Sequence, residues 1–195
     1  MNISAVILAA GKSRRMGQSK INLPWGNTTV LGHIIKVLDE AGIDESVVVT
    51  GVSPVEFEQD NLGHPVRFIQ NPQAAQSGML TSLRVGLSEL QPECGAALVT
   101  LGDQPQIEVH VVKALLRAYQ SAVCPILVPS FQNRRGHPWL LGKNFREEVN
   151  NLDQTKTMRD FLNLHAEEIV YVGVDTASIL QDLDTPADYA KFQPS

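Results

Sequence analysis

Short apolar segments that alternate with helical patterns constrain the fold of this chain more than any other feature. The segments are β-branched or aliphatic, lack strict polar alternation and are bounded by Gly, Pro, Asn or Asp, which is typical of strands buried on both faces. They are found at residues 4–10, 46–50, 66–69, 96–101, 126–129, 139–141 and 169–174. We therefore expect a sheet whose two faces are both covered.

Helical patterns fill the intervals between these segments. The first has apolar residues spaced three and four apart, Thr28 or Thr29 as its N-cap and Gly42 as the residue that ends it. Ser77 could cap a second helix, and residues 109–119 carry a third apolar stripe. Strands that alternate with helices form βαβ crossovers, so the pattern predicts an α/β fold with a mainly parallel sheet and helices on both faces.

The alternation becomes less regular after residue 125, where we expect an antiparallel addition to the sheet. No linker, internal repeat or low-complexity tract interrupts the sequence. With 195 residues the chain is long enough to bury a core as one domain, which we expect to span residues 1–195.

Composition excludes several classes of function. A net charge of −5 and a pI near 5.5 argue against general nucleic-acid binding, which usually requires a basic domain. Cys94 and Cys124 are too few for a disulfide framework or a zinc site, and we expect buried thiols in a reducing compartment. The sequence has neither a signal-peptide pattern nor an apolar run of membrane-spanning length, so we expect a soluble cytoplasmic protein without a membrane partner.

A basic segment, LAAGKSRRMGQSKINLP, follows the first predicted strand at residues 8–24. It contains no acidic residue and a quarter of the chain's 16 basic residues: Lys12, Arg14, Arg15 and Lys20. Its glycines allow backbone N–H groups to approach and cradle phosphate oxygens. A P-loop would need a glycine where Val6 stands, and GxGxxG is absent. The segment is therefore an anion-binding loop of another kind or, alternatively, a solvated basic turn.

Acidic residues stand out in two later segments of the sequence. Asp103 comes after the strand at residues 96–101, in LGDQP, and the segment LQDLDTPADY contains Asp182 and Asp184. Mg²⁺ usually takes one or two protein carboxylates together with substrate phosphates, and Asp103 with Asp184 would supply that number. Alternatively, these aspartates only cap turns and helices. Residues 185–186 also predict a helix start, with Thr as the N-cap and Pro as the first helical residue.

Two further segments are suited to holding a ligand. NPQAAQSGMLTSL, residues 71–83, is a polar, Gly-containing approach to a helix that can place amides and small hydroxyls beside a ligand. QNRRGHPWLL, residues 132–141, puts two arginines and a histidine before an apolar strand, where they could meet a second anionic substrate. His137 could equally be a structural histidine.

Together these segments resemble the MobA-like nucleotidyltransferases, and most closely the molybdenum cofactor cytidylyltransferases. The match follows nearly the whole chain in order and consists of LAAGKSRRMGQSK, LPWG, NP…SGMLTSL, LGDQP, RRGHP and DLDTPADY. The first motif is shared with sugar-phosphate nucleotidyltransferases, whereas RRGHP with DLDTP is much narrower. The resemblance implies a three-layer α/β/α fold of the GT-A type, as in nucleotide-diphospho-sugar transferases, and the use of an NTP and Mg²⁺.

The resemblance also implies roles for individual residues. Nucleotide binding falls to Leu8, Ala9, Ala10, Gly11, Arg15, Lys20, Asn71, Gly78 and Ser82. Arg15 and Lys20 would close on the triphosphate, and with Asp103 they are the implied catalytic residues. Asp103 and Asp184 would be the metal ligands. The acceptor would meet the later basic segment, at Arg134, Arg135, Gly136 and His137.

The implied reaction moves a nucleoside monophosphate to a phosphate-bearing acceptor and releases pyrophosphate. LAAG, rather than LAGG, is similar to the branch that uses CTP, because Ala10 adds a methyl group where GTP-using relatives have glycine. Molybdopterin, or the molybdenum cofactor, is the acceptor that the resemblance implies. A molybdoenzyme would then be the protein partner that receives the product.

One stretch departs from the family pattern. Where many relatives carry Gly-Asp-x-Gly-Ala-Arg, residues 151–162 read NLDQTKTMRDFL, in which Lys156 and Arg159 could take over that role. Alternatively, these two residues and His165 form the solvated face of a polar helix. The acceptor stays open for this reason, and a sugar or alditol phosphate is the first alternative.

A nucleotide-binding protein that delivers a cofactor without turnover is the second alternative. It is disfavoured because a mere binder could lose Lys20, Asp103 and Asp184. A phosphate monoester is already nucleophilic near neutral pH, so the transfer requires only positioning and charge neutralisation. The sequence shows no Ser–His or Cys–His pair for nucleophilic catalysis. A flavin or nicotinamide reductase is also disfavoured, since the dinucleotide fingerprint is absent.

Overall fold

A central β-sheet between helices makes up the fold. The structure, a computed structural model, describes residues 2–11, 13, 15–51, 55, 57, 62–74, 78–121, 126–153 and 155–194. The strands are β1 (Ile3–Ala9), β2 (Pro24–Trp25), β3 (Thr28–Thr29), β4 (Glu45–Thr50), β5 (Val66–Gln70), β6 (Ala96–Leu101), β7 (Ile126–Phe131), β8 (Arg134–Arg135), β9 (Trp139–Gly142) and β10 (Ile169–Gly173). The helices are α1 (Val30–Ala41), α2 (Met79–Ser88), α3 (Val109–Ser121), α4 (Lys143–Asn151), α5 (Met158–Leu164) and α6 (Pro186–Phe192).

The central sheet is mainly parallel. Its strands follow the order β10-β7-β9-β6-β1-β4-β5, and β8 pairs with β7. β1 lies between β4 and β6 and pairs with both in parallel, whereas β9 runs antiparallel to β6 and β7. β2 and β3 form a separate antiparallel pair. The predicted parallel sheet and the predicted antiparallel addition after residue 125 are both confirmed.

The register brings the carboxyl ends of several strands to one edge of the sheet. Leu8 of β1 lies opposite Leu101 of β6, and Ala9 lies opposite Thr50 of β4. Because β9 is antiparallel, its first residue, Trp139, lies near the carboxyl end of β6. The basic segment, the LGDQP turn and the RRGHP segment therefore meet at this edge, where open α/β sheets bind their ligands.

Helices cover both faces of the sheet. Ile7 of β1 packs in a core with α1 and α3, whereas its neighbour Val6 packs in a second core with α2, α4 and α5. Both side chains are fully buried. This arrangement is the three-layer α/β/α architecture that the resemblance implies.

The first predicted helix begins and ends as the sequence indicates. Thr29, rather than Thr28, caps α1, and its side chain accepts a hydrogen bond from the N–H of Gly32. Gly42 follows the helix at a φ of 91°, a conformation that glycine adopts without strain. Ser77, the predicted cap of α2, lies outside the described residues.

The last helix fixes the segment that contains Asp184. Thr185 and Asp188 form a capping box at the start of α6, and Pro186 is its first residue, as predicted. The hydroxyl of Tyr189 donates to the carbonyl of Pro24 at 2.6 Å, which ties the helix to β2. The chain therefore approaches α6 along a fixed path.

The predicted polar helix near residue 160 is wrong in its extent. α5 contains Arg159, but Lys156 precedes the helix and His165 is its C-cap residue. His165 does not lie on a solvated face, because its ring packs against Phe145 of α4 and Phe161 of α5. Apolar residues of α4, which the sequence analysis does not predict, bury this side of α5.

Two expectations drawn from composition can be compared with the structure. Cys94 is fully buried, as expected, and Cys124 lies outside the described residues. Among the helices of the described chain, none combines the length and the apolar character needed to cross a membrane.

Candidate active site

A cavity of about 340 Å³ with four charged residues in its lining opens at the carboxyl ends of β1 and β6, and we call it the first cavity. It is lined by Leu8, Ala9, Gly11, Ser13, Arg15, Lys20, Ile21, Gly102, Asp103 and Asp184. The four charged residues that the sequence assigns to the triphosphate and the metal are all present. Segments far apart in sequence thus form one charged site.

Lys20 connects the charged groups of the first cavity. Its Nζ is 3.2 Å from Oδ2 of Asp103 and 3.0 Å from Oδ1 of Asp184. The lysine is only 8% exposed, and a charge at that depth requires partners. Nη2 of Arg15 is 2.9 Å from Oδ2 of Asp184, while the rest of that arginine side chain remains exposed. Two cations and two carboxylates therefore neutralise one another.

Backbone contacts explain why the two aspartates meet. Asp103 follows β6, and its carbonyl accepts a hydrogen bond from the N–H of Leu183 at 2.9 Å. A second contact joins the same two segments, since Nε2 of Gln104 donates to Oδ1 of Asp182. The segment before α6 is thus attached to the turn after β6, and both metal-site candidates face Lys20.

The pKa values of Asp182 and Asp184 are shifted in opposite directions, although the two residues are close in sequence. The hydrogen bond from Lys20 lowers the pKa of the Asp184 carboxyl, and the charge of Arg15 acts in the same direction. Burial raises the pKa of Asp182. Asp184 is therefore ionised at neutral pH and is suited to binding a cation.

The basic segment at residues 8–24 makes a turn that presents Lys20. The hydroxyl of Ser13 accepts a hydrogen bond from the backbone N–H of Lys20 at 3.1 Å. Gly17 adopts a φ of 69° within the turn. Lys12 and Arg14 lie outside the described residues.

Asp103 and Asp184 fit the donor set that Mg²⁺ prefers. Both direct carboxylate oxygens at one cation, the Lys20 ammonium. Within the described part of the chain, no group of three His, Cys, Asp or Glu side chains could hold a metal. A metal here would rest on two carboxylates and take its remaining ligands from water and phosphate, which is the usual coordination of Mg²⁺ in proteins.

A larger cavity of about 1030 Å³, the second cavity, lies between α2, α5 and the RRGHP segment. Among the described residues that line it there is no carboxylate, but there are four cations: Arg84, Arg135, Lys156 and Arg159. Gly136 and His137 also line it, as does Gly78, which the sequence assigns to the nucleotide. Three of the four predicted acceptor residues, Arg135, Gly136 and His137, therefore face the same space as the two cations of the departing stretch.

His137 supplies no charge to the second cavity. Its ring stacks on Trp139 with the centroids 4.1 Å apart. Burial lowers the pKa of the imidazole to about 4, so the ring is neutral at pH 7. Its Nε2 is buried and has no hydrogen-bond partner in the described structure. The imidazole is thus suited to an uncharged polar group, and the arginines and lysine to an anion.

Gly136 holds the RRGHP segment against the chain that leads to Asp184. A Cβ at this position would lie 2.3 Å from the carbonyl oxygen of Ile179. The same carbonyl accepts a hydrogen bond from the backbone N–H of His137 at 3.1 Å. Ile179 lies in the short helix Ala177–Leu180, just before Asp182. Gly136 therefore has a packing role besides its place on the second cavity.

Several predicted ligand residues line neither cavity: Ala10, Asn71, Ser82 and Arg134. Asn71 and Ser82 are buried and bonded to each other, with Nδ2 of Asn71 donating to the hydroxyl at 3.0 Å. This bond attaches the residue after β5 to α2. In the described structure it gives both side chains a structural contact.

The predicted site residues omit Arg84 and Gln104. Arg84 lies three residues after Thr81 on α2, so the two share a helix face, and both line the second cavity. Nε of Arg84 donates to the carbonyl of Val149 at 3.0 Å, which orients the guanidinium. Helical spacing could have indicated Arg84, whereas no sequence spacing indicates the contact between Gln104 and Asp182.

The structure also contains a Ser–His pair, which the sequence analysis does not find. Nδ1 of His64 is 2.8 Å from Oδ1 of Asp39, and Nε2 is 2.8 Å from the hydroxyl of Ser46. Ser46 has no exposed surface and lines neither cavity. A substrate cannot reach it, so this arrangement ties α1 to β4 and has no catalytic role.

Comparisons with known proteins agree with this geometry. Residues 5–169 match the family model of the MobA-like NTP transferase domain. The chain is 29% identical to the molybdenum cofactor cytidylyltransferase of Escherichia coli K12 over 194 residues, which cover 96% of this chain and 93% of that protein.

Solved structures show the same fold. Rv0371c from Mycobacterium tuberculosis H37Rv superposes with a TM-score of 0.82 at 27% identity, over 98% of this chain and 97% of that one. Its complex with manganese gives a TM-score of 0.78 at 25% identity, with 99% and 98% covered. A nucleotidyl transferase from Methanothermobacter, Mth528, gives 0.80 at 23% identity, with 98% and 96% covered. The GT-A-like fold is confirmed.

Proposed function

This chain belongs to the MobA-like NTP transferase family, and from that premise we propose that it transfers CMP from CTP to the phosphate of molybdopterin or the molybdenum cofactor. The convergence of Asp103 and Asp184 on Lys20, beside Arg15, carries the proposal. It places two carboxylates and two cations at the sheet edge where this fold class binds ligands.

Arg15 and Lys20 hold the triphosphate in this proposal. Lys20 has three donor hydrogens and is a compact charge, so it can contact more than one phosphate oxygen. Arg15 is more exposed and offers a planar pair of donors that matches a phosphate. Both cations neutralise the pyrophosphate that leaves.

Asp103 and Asp184 are the residues that would hold Mg²⁺, and a cation there would offset the charge that develops around the α-phosphorus. The donor set fits, as two ionised carboxylates face one cation. The manganese complex of the related Rv0371c supports a divalent cation in this fold.

The transfer itself requires no protein nucleophile. An oxygen of the acceptor phosphate forms a bond to the α-phosphorus, the bond from that phosphorus to the bridging oxygen breaks, and pyrophosphate leaves with that oxygen. The chain contributes positioning and charge neutralisation, which together account for most of the catalysis in phosphoryl transfer.

The second cavity is the proposed acceptor site. Its four cations and the absence of a carboxylate from its described lining suit an acceptor with phosphate groups. The neutral His137 suits a hydrogen-bonding group on an uncharged ring. A molybdoenzyme that takes up the product, and a cytoplasmic location where CTP is available, follow from the same proposal.

CTP is the proposed donor on two grounds. The first is the resemblance, in which Ala10 takes the place of a glycine in GTP-using relatives, so that its methyl group would crowd a purine more than a pyrimidine. The second is the relative in Escherichia coli, which is named a cytidylyltransferase. The match to that relative covers 96% of this chain at 29% identity, which supports the choice of CTP.

Pyrophosphate release tests the proposal. The purified chain is incubated with Mg²⁺ and each of the four NTPs, alone, with molybdopterin, and with a sugar or alditol phosphate. We expect release with CTP and molybdopterin, and a loss of about 100-fold in Asp103→Asn and Asp184→Asn, on the scale of removing one charge-stabilising contact. Asp175→Asn is the control, because that aspartate is exposed and lines neither cavity.

Three other results would each reject one part of the proposal: the acceptor, the catalytic activity or the metal site. Turnover only with a sugar or alditol phosphate rejects the acceptor. Binding of CTP without pyrophosphate release under any condition indicates a delivery protein instead of an enzyme. Wild-type rates in both Asp→Asn variants reject the metal assignment.

A further inference from the structure

Gln104 and Asp182 lie directly beside the two metal-site carboxylates. Gln104 follows Asp103 in the turn after β6 and is 3% exposed. Asp182 lies two residues before Asp184 and is exposed at the surface. Neither side chain lines the first cavity. The pair therefore lies next to the two carboxylates in sequence but outside the lining of the first cavity, with Gln104 buried and Asp182 at the surface.

Two hydrogen bonds join the segments that contain the carboxylates. Leu183 donates its N–H to the carbonyl of Asp103, and Gln104 donates its side-chain amide to Asp182. The two segments are therefore attached to each other at two points, one on the backbone and one on the side chains. Asp103 and Asp184 are adjacent to these bonds and both reach Lys20.

We propose that Gln104 and Asp182 are positioning residues that set the spacing of Asp103 and Asp184 for a divalent cation. The inference rests on the proposed function, because it assumes that these carboxylates hold the metal. Partners that orient metal-binding groups typically change metal affinity by roughly 10- to 100-fold when they are removed.

Asp182 is not needed as a third ligand. No group of three candidate ligand side chains is found in the described chain, and the carboxylate oxygen Oδ1 of Asp182 is already occupied by Gln104. A side-chain amide is suited to this contact, because it donates to a carboxylate without adding a charge that would repel a cation.

Manganese binding tests the proposal without requiring turnover. Free Mn²⁺ is measured by electron paramagnetic resonance during titration of the full chain, in the wild type and in Gln104→Leu. We expect the dissociation constant to rise about 10-fold in Gln104→Leu. The Mg²⁺ concentration for half-maximal pyrophosphate release should rise in parallel. Binding in the wild type must be lost in Asp184→Asn, which locates the ion.

A variant in which the amide and the carboxylate exchange places distinguishes a positioning role of Asp182 from direct binding of the metal and from a loss of the fold. In the double variant Gln104→Glu with Asp182→Asn, the amide donates from the other side and one carboxylate is retained. We expect it to bind Mn²⁺ within about threefold of the wild type, and each single variant to bind about 10-fold more weakly. If Asp182 were a ligand, the double variant would bind as weakly as Asp182→Asn.

Gln106→Leu is the matched control. Gln106 lies in the same turn, and both polar atoms of its side chain are buried without a partner in the described structure. We expect no change in Mn²⁺ binding, because no hydrogen bond is removed. An equal loss in Gln104→Leu and Gln106→Leu would overturn the proposal.

The outcomes distinguish this inference from the proposed function. If the wild type binds Mn²⁺ at Asp184 and Gln104→Leu binds it equally well, the positioning role is wrong while the transferase proposal stands. If pyrophosphate release fails but Mn²⁺ binding responds as expected, the transferase proposal is wrong and the positioning role stands. A wild type that binds no Mn²⁺ overturns the metal assignment and the inference together.

Discussion

Replacing Gly136 with alanine tests how tightly the acceptor segment is attached to the chain that leads to Asp184. The added Cβ would lie 2.3 Å from the carbonyl oxygen of Ile179 and 2.7 Å from two of its side-chain carbons. Real carbon contacts are essentially never below 3.0 Å. The obstructing oxygen belongs to the backbone and already accepts a hydrogen bond from His137. Two backbone segments must therefore separate.

The expected cost follows from these contacts. Overpacking a buried site typically costs about 1–3 kcal/mol, and the backbone contact puts this substitution near the upper end. The hydrogen bond between His137 and Ile179 is also stretched, which adds about 1 kcal/mol. We expect the free energy of unfolding to fall by about 3–4 kcal/mol. For a chain of this length that lowers Tm by roughly 6–16 °C.

Chemical denaturation followed by circular dichroism measures this change directly. Gly173→Ala is the control, because a Cβ there meets nothing within 4 Å and its φ is not positive. We expect the control to differ from the wild type by less than about 1 kcal/mol. Gly136→Ala should also raise the acceptor KM, since the same displacement moves Arg135 and His137.

Equal stability of Gly136→Ala and Gly173→Ala would refute the reasoning. It would mean that the RRGHP segment and the Ile179 segment separate without cost. A loss of stability with an unchanged acceptor KM would leave the packing role intact and reject the acceptor role of this segment.

Two further predictions concern single residues. Ala10→Gly should raise the use of GTP relative to CTP by about tenfold, since one methyl group is worth roughly 1–3 kcal/mol of discrimination. Competition between the two nucleotides measures this ratio, and a wild type that prefers GTP would contradict the choice of CTP. The pKa of His137 is about 4 in the folded chain and 6.5 in the unfolded chain. Between these pH values the unfolded state binds more protons than the folded state. The stabilising contribution of the neutral ring is therefore complete above pH 6.5 and is lost as the pH falls toward 4. Between pH 7 and pH 4, the free energy of unfolding should fall by up to about 3 kcal/mol less in His137→Gln than in the wild type. His110→Gln is the control, because that histidine is exposed. Identical pH dependence in all three proteins would mean that His137 is protonated in the folded chain at pH 4.

Sequence reasoning predicts the fold well because the strands repeat a strong local signal. Both faces of β1 and β4 are buried, so the unalternated apolar runs are visible without any tertiary information. The caps of α1 and α6 are local as well, because Thr29 and Thr185 bond within three residues. Whether residues 1–195 behave as a single domain stays a prediction.

The parts that the sequence does not predict depend on contacts between distant residues. Gln104 and Asp182 are 78 residues apart, and only the attachment of the two segments brings them together. His165 lies in a polar stretch of sequence that predicts a solvated face, yet aromatic residues of α4 and α5 pack against its ring. Neither contact leaves a periodic pattern in the sequence.

The charge balance of the first cavity indicates how the site would change when substrates bind. Arg15 and Lys20 now neutralise Asp103 and Asp184, so the four side chains carry no net charge together. A triphosphate alone would place its negative charge beside two carboxylates, and a divalent cation alone would have to displace Lys20 from both of them. If the cation and the triphosphate bound together, Asp103 and Asp184 would hold the cation, and Arg15 and Lys20 would contact the phosphates. Each ligand would then lower the electrostatic cost of binding the other, which would favour the metal–nucleotide complex over either part alone.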